Sequence, residues 1–153
     1  MAAPFSIRLL RLSDLDRILE IERASFGDDA YDRKLFAEFF HKCGDLFLVA
    51  LRGRTVGGYM VTSIGGKAAH RSAELVSVAV DPKLRGKGIA SALMDSTLRR
   101  LRRRGIARLG LCVKVTNHPA IALYERYGFT RSRIVRRYYE DGADAWRMAK
   151  CGF

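Results

Sequence analysis

Apolar and polar positions along the chain change period several times, and each change marks a predicted element. Phe5 to Leu10 reads as a first strand. Leu15, Ile18, Leu19 and Ala24 then fall on one helical stripe, with Ser13 placed to cap that helix and Asp16 as its box partner. A break at Phe26-Gly27-Asp28-Asp29 precedes a second helix, from about Asp32 to His41, expected to bury Leu35, Phe36, Phe39 and Phe40. Leu46 to Arg52 and Thr55 to Ile64 read as strands joined at Gly53, an antiparallel hairpin. After the loop Gly65-Gly66-Lys67 come a fourth strand, Glu74 to Val80, and a long helix, Ile89 to Arg104. Leu109 to Val115, a short helix after Asn117, a strand from Phe129, a turn at Asp141-Gly142 and a strand from Ala145 to Ala149 complete the order β-α-α-β-β-β-α-β-α-β-β. No linker, repeat or low-complexity tract interrupts it, and 153 residues suit one domain, residues 1–153.

Two segments carry chemistry. The first runs from strand to turn to helix: Leu75 to Val80, Asp81-Pro82-Lys83-Leu84, then Arg85-Gly86-Lys87-Gly88-Ile89-Ala90. Gly86 and Gly88 lack a Cβ, so backbone N–H groups can approach phosphate oxygens closely. The helix that follows turns its positive end to the same place. Arg85 and Lys87 add full charges. The spacing is neither G-x-x-x-x-G-K-[ST] nor G-x-G-x-x-G; it is R-x-x-G-x-A. The second segment, Asn117 to Phe129, reads as a capped helix: Asn117 as cap, Pro119 in the first turn, Gly128 at the stop.

Composition narrows the class. An apolar content of 48% supplies a core, and 29% charged residues suit a soluble surface. No apolar run approaches the roughly 18 residues of a membrane span. Met1 to Phe5 does not read as a secretion signal. Three scattered cysteines suggest no disulfide framework or zinc site, and a reducing cytoplasm is the expected setting. His41, His70 and His118 share no metal spacing, so no metal is expected. The net charge of +12 implies attraction to anions, but no recognition-helix or RNP-type pattern points to sequence-specific nucleic acid.

The loop R-x-x-G-x-A resembles the acyl-CoA pyrophosphate loop of the GNAT superfamily of N-acetyltransferases. Asn117 to Phe129 is similar to that family's N-x-x-A-x-x-x-Y-x-x-x-G-F segment. The resemblance covers nearly the whole chain, loosely before Glu74 and closely after it. It implies an α/β (α+β) GNAT fold: a mixed, mostly antiparallel seven-stranded sheet, about four flanking helices, and splayed fourth and fifth strands. It also implies acetyl-CoA as cofactor. Backbone groups of Val78, Ala79 and Val80 would bond the pantetheine amides and polarise the carbonyl. Arg85, Gly86, Lys87, Gly88, Ile89 and Ala90 would hold the pyrophosphate. Asn117 would contact the pantetheine arm, and Tyr124 would sit near the sulfur.

Acetyl transfer to an amine needs the amine deprotonated, the carbonyl oxygen stabilised and the thiolate held or protonated. Tyr124 is the expected general acid, its hydrogen bond mattering more than full transfer since a phenol titrates near 10; the competing reading is a packed core tyrosine. The segment Arg137 to Trp146 resembles the Y-Y-x-D-G-x-D-A hairpin of protein N-terminal acetyltransferases, the ribosomal-protein alanine (RimI) type and the archaeal and eukaryotic catalytic subunits among them. Their fifth strand often reads L-E-V or L-H-V, with Glu or His as proposed base. Here it reads Leu111-Cys112-Val113, and a thiol is a poor substitute; the plainer reading of Cys112 is small, buried and inert. Glu74, in the segment where histone-type members carry their catalytic Glu, could take the proton through water; the alternative is a strand-edge Glu or a salt bridge to a nearby Arg. A peptide α-amine, with a pKa near 8 against about 10.4 for lysine, tolerates such a weak base better.

In N-terminal acetyltransferases the hairpin and the loop after the first helix flank the peptide. Here they offer Tyr138 and Tyr139, and Phe26 and Tyr31. Strand alternation predicts that only one of Tyr138 and Tyr139 points into the groove; cross-strand packing is the alternative. The arginines 99, 100, 102, 103 and 104, and 131, 133, 136 and 137, read as solvated faces or as docking surfaces for ribosomal RNA or an acidic partner. The expected activity is acetyl transfer to the N-terminal α-amine of a protein or peptide, by a monomer or homodimer without membrane contact. Rival readings are a small-molecule amine or lysine acceptor, and a non-catalytic acyl-CoA-binding regulatory module.

Overall fold

The computed structural model describes residues 5–66 and 71–153; Lys67 and His70 lie outside them. Its elements are β1 (Phe5–Leu9), α1 (Leu15–Phe26), α2 (Arg33–Cys43), β2 (Phe47–Arg52), β3 (Thr55–Gly65), β4 (Ser72–Val80), α3 (Ile89–Arg103), β5 (Arg108–Lys114), α4 (His118–Arg126), β6 (Thr130–Val135) and β7 (Ala145–Cys151). The sheet runs β1-β2-β3-β4-β5-β7-β6. β4 and β5 pair in parallel, through Ala73↔Leu109 and Glu74↔Gly110. The pairings of β1 with β2, β2 with β3, β5 with β7 and β6 with β7 are antiparallel. This is the mixed, mostly antiparallel seven-stranded sheet with four helices that the family resemblance implies.

The chain divides into two compact units, Met1–Ser63 with Leu75–Arg100, and Ile64–Glu74 with Leu101–Phe153. In the first, Ile18, Ile21, Phe36, Phe47, Val49, Tyr59 and Val61 form a core cluster. Phe36 meets Tyr59 edge to face, centroids 5.7 Å apart. Burial of each such side chain stabilises by about 1.5–3 kcal/mol.

Three local expectations need correction. Ser13 does not cap α1: a 3-10 turn, Leu12–Asp14, precedes it. Asp14 is the carboxylate that organises that start, accepting from the Arg11 amide at 2.7 Å and from both Nη atoms of Arg8 at 2.7 and 3.0 Å. A charged acceptor with a guanidinium in reach outcompetes a hydroxyl. Ala24 is exposed; Ile21 and Glu22 occupy the buried stripe instead. In α2, which Asp32 caps by accepting from Leu35 N at 2.9 Å, only Phe36 and Cys43 are fully buried. Leu35, Phe39 and Phe40 are half-buried because a helix this short turns a single narrow face inward.

In the second unit β5 pairs with β7 over seven residues, Arg108↔Cys151 to Lys114↔Ala145. Odd-numbered Leu109, Leu111 and Val113 are buried on one face, leaving Gly110 and Cys112 on the other. The Asn117 side chain caps α4, accepting from Ala120 N at 3.3 Å, and Gly128 follows with φ +88°.

Candidate active site

β4 alternates strictly: Ala73, Leu75, Ser77 and Ala79 are buried, and Glu74, Val76, Val78 and Val80 are half-exposed. Its end is fixed by Arg17, which donates to the Val56 carbonyl at 3.0 Å and to the Asp81 carboxylate. Asp81 in turn accepts from Lys83 N at 2.9 Å, closing the turn Pro82–Leu84. Gly86 and Gly88 follow with φ +78° and +86°, and a Cβ on either would meet nothing within 4 Å. Backbone conformation, not crowding, demands glycine here, since both positions lie in the left-handed region that side chains disfavour. The first helical bond of α3 runs from Ala92 N to the Gly88 carbonyl at 3.0 Å. The Ile89 and Ala90 amides precede it and have no carbonyl within the helix to bond. Arg85 turns back, its Nε donating to the Val80 carbonyl at 3.2 Å and its Nη2 to Ser25 Oγ at 3.1 Å, while Lys87 is exposed. This open, amide-lined and positively charged loop fits a pyrophosphate.

In the other unit Tyr124 is 5% exposed and its ring lies 5.7 Å from that of Phe129. Burial pushes the phenol well above its ordinary range. Asn117 Oδ1 is committed to the helix cap. Glu74 is bound by Arg147, with Nη1 donating to Oε1 and Nη2 to Oε2 at 2.7 Å. Cys112 is half-buried, and its Sγ accepts from the same Arg147 Nη1 at 3.7 Å. The bonds to Glu74 raise the Arg147 guanidinium further above its ordinary range.

Tyr138 and Tyr139 lie between β6 and β7 rather than within a strand, so alternation does not separate them. Their rings pack edge to face, 5.0 Å apart, with Tyr138 50% exposed. Tyr139 N donates to the Ala143 carbonyl at 3.2 Å, and Lys114 Nζ lies 5.0 Å from the Tyr139 ring centroid. A cleft of about 390 Å³ is lined by Ala30, Tyr31, Asp32, Lys34, Leu35 and Glu38. Phe26 is half-buried at the end of α1.

Sequence reasoning missed two residues. Glu22 is 1% exposed and accepts from the Tyr59 hydroxyl, from Ser77 Oγ at 2.9 Å and from Tyr31 N at 2.9 Å. Burial raises its pKa, the three donors partly opposing. The signal lay in its helical spacing from Leu15, Ile18 and Leu19, which puts a charge on the apolar stripe. The second is Arg147, directly opposite Cys112 in the register.

Residues 15–129 match the Acetyltransferase (GNAT) family. An N-alpha-acetyltransferase of Saccharolobus solfataricus is 33% identical over 155 residues, covering 95% of this chain and 92% of the relative. The N-alpha-acetyltransferase RimI of Mycobacterium tuberculosis is 34% identical over 154 residues, covering 96% and 92%. The crystal structure of Ard1 from Thermoplasma volcanium is similar with a TM-score of 0.92 at 27% identity, covering 100% of this chain and 99% of that one. The chain belongs to the GNAT family of acetyltransferases, whose acyl donor is acetyl-CoA.

Proposed function

We propose that this acetyltransferase acts on the N-terminal α-amine of a protein or peptide, the amine attacking directly in a ternary complex. One observation carries the acceptor class: relatives named N-alpha-acetyltransferases match the chain over 95% and 96% of its length. The cleft beside Tyr31 in one unit, and separately the packed rings of Tyr138 and Tyr139 in the other, each suit a peptide better than a small polar amine.

Acetyl-CoA, when bound, supplies the acetyl carbonyl and a thiolate leaving group. The amides of Gly86 to Ala90 and the Lys87 ammonium would hold its pyrophosphate, with Arg85 adding charge. Backbone groups of Val78, Ala79 and Val80 would bond the pantetheine arm, and Asn117, its Oδ1 held by the helix cap, would offer its Nδ2. Tyr124 would donate a hydrogen bond from its hydroxyl to the departing thiolate; burial keeps that phenol protonated, which favours donation over full transfer. Glu74 takes the amine proton through a water. The guanidinium uses one lone-pair site on each carboxylate oxygen, and a carboxylate offers about four. We place the enzyme in the cytoplasm, as a monomer or homodimer, with its arginine-rich faces as the surface for a ribosomal target.

The test is a set of acceptors incubated with acetyl-CoA and read by mass spectrometry: a peptide with a free N-terminus, the same peptide N-blocked with an internal lysine, and a polyamine. Acetylation of the free N-terminus alone is expected. Acetylation of only the blocked peptide or the polyamine overturns the acceptor. Cys112 in place of the usual fifth-strand base favours a second reading, a regulatory acyl-CoA-binding module; a rise in melting temperature with coenzyme A and no turnover of any acceptor would establish it.

A further inference from the structure

We infer that Arg147 is the positioning residue for Glu74, and that position 110 is glycine so that Arg147 can reach it. The inference rests on the reading of Glu74 as the base.

The register sets the problem. Glu74 on β4 pairs with Gly110 on β5, while Arg147 on β7 pairs with Cys112. All four residues therefore share one face of the sheet, and a guanidinium carried by β7 must cross β5 to meet a carboxylate carried by β4. It crosses at Gly110. A Cβ there would collide with Arg147 Nη2, stand 3.1 Å from its Cζ and 3.0 Å from Glu74 Oε2. Gly110 is not among the glycines with positive φ, so its missing side chain provides room, not backbone freedom.

The pair formed across this gap is bidentate, a geometry that a guanidinium supplies and an ammonium does not. Its side chains are 23% and 41% exposed, so as a stabilising device it is weak. A glycine inside a strand weakens the strand further. What the arrangement does achieve is to hold one carboxylate in one orientation. Cys112 belongs to the same device. A carboxylate at 112 would be the direct cross-strand partner of Arg147 and would compete for it; the thiol takes only a long bond of 3.7 Å and leaves the guanidinium to Glu74.

The experiment compares Arg147→Met, Arg147→Lys, Gly110→Ala and Glu74→Gln with the double variant Glu74→Gln/Arg147→Met. It measures kcat, KM for acetyl-CoA and melting temperature. It also records the Arg147 guanidinium NMR signals in the protein without acetyl-CoA. Arg147→Met is expected to lower kcat on the order of tenfold, as loss of orientation does, with KM for acetyl-CoA unchanged. Arg147→Lys should not restore it. In the Glu74→Gln background the same change should have no further effect. Separate, slowly exchanging Nη proton signals are expected in the wild type and should be lost in Glu74→Gln and in Gly110→Ala. An undiminished effect of Arg147→Met on top of Glu74→Gln overturns the inference. So does a wild-type kcat in Arg147→Met while Glu74→Gln is slow, which leaves the base reading standing. A wild-type rate in Glu74→Gln instead removes the base itself, and the inference with it. Should Gly110→Ala fail to fold, the Arg147 variants and the wild-type NMR signature still decide.

Discussion

Glu22, on α1, and Glu74, on β4, carry the same carboxylate into opposite surroundings. Glu22 is 1% exposed and, among the described residues, accepts from neutral donors, two hydroxyls and an amide. Glu74 has a side chain 41% exposed and a guanidinium on both oxygens. Burial raises the Glu22 pKa, and burial together with the Glu22 charge pushes the Tyr59 phenol far up. Glu22 is thus a fastener: it ties Tyr31, beyond the turn Gly27–Asp29, back to α1. Glu74 keeps lone pairs open to water beside a fixed positive charge. Solvent and partner charge, not residue type, separate the surroundings of these two carboxylates.

The largest expected effect tests the fastener. Glu22→Ala leaves the Tyr59 hydroxyl, the Ser77 hydroxyl and the Tyr31 amide without their acceptor. The two hydroxyls lie 3.3 Å apart and can bond each other, and Tyr31 is only half-buried, so at ~1–3 kcal/mol for each buried group stranded a loss of about 2–4 kcal/mol is expected. A thermal melt should show a drop of roughly 5–15 °C. A melting temperature close to wild type would place Glu22 in solvent and dissolve the contrast.

Glu74→Gln comes next, with the opposite signature. It should lower kcat about 100-fold on a free-N-terminus peptide, as loss of a general base does. The melting temperature should move by less than about 3 °C, because a half-exposed ion pair stabilises little. A large loss of stability with retained activity would make Glu74 a second fastener.

Titration separates carboxylates more finely. The folded pKa of Glu22 lies above its ordinary 4.5, so its stabilising contribution is complete below that value and is lost as pH rises through the raised folded pKa. Asp14 has the reverse sign. Burial would raise it, but the bonds from Arg8 and from the Arg11 amide together hold it below its ordinary 3.8. Its contribution is present above 3.8 and is lost as pH falls through the lowered value. Melts of wild type, Glu22→Gln and Asp14→Asn across this range check both. Relative to Glu22→Gln the wild type should lose ground as pH climbs past 4.5, and relative to Asp14→Asn it should gain ground as pH climbs from the lowered folded value up to 3.8 and hold that gain above it. Parallel curves would show that neither site discriminates protonation states.

The same contrast explains what was legible in the sequence. The strand–turn–glycine–helix segment at 75–90 and the Asn117 cap are local devices; their residues meet neighbours a few positions away, so spacing alone discloses them. Arg147 meets Glu74 from 73 residues away, and Glu22 meets Ser77 from 55 away. Those partnerships depend on strand order and on a register that no local pattern encodes. Gly110 was silent for the same reason: a glycine required for room reads in sequence like any other. The errors at Ser13 and Ala24 are different in kind. There the local pattern allowed two answers, and Asp14 and Glu22 won through partners at Arg8 and Tyr59.

The smallest effect concerns a carboxylate with a partner but without burial. Asp16 on α1 accepts from Arg33 Nη2, and the two side chains are 81% and 56% exposed. Water screens such a pair and supplies both groups with equivalent hydrogen bonds once it is broken, while holding two long side chains together costs rotamer entropy. Asp16→Asn should therefore change stability by no more than about 0.5 kcal/mol and leave kcat unaltered. Raising the salt concentration should shrink even that difference, since screening acts most strongly on exposed charges. If Asp16→Asn matched the loss seen in Glu22→Ala, hydrogen bonding alone would carry the weight assigned above to exclusion of water, and the distinction between the two glutamates would have to be redrawn.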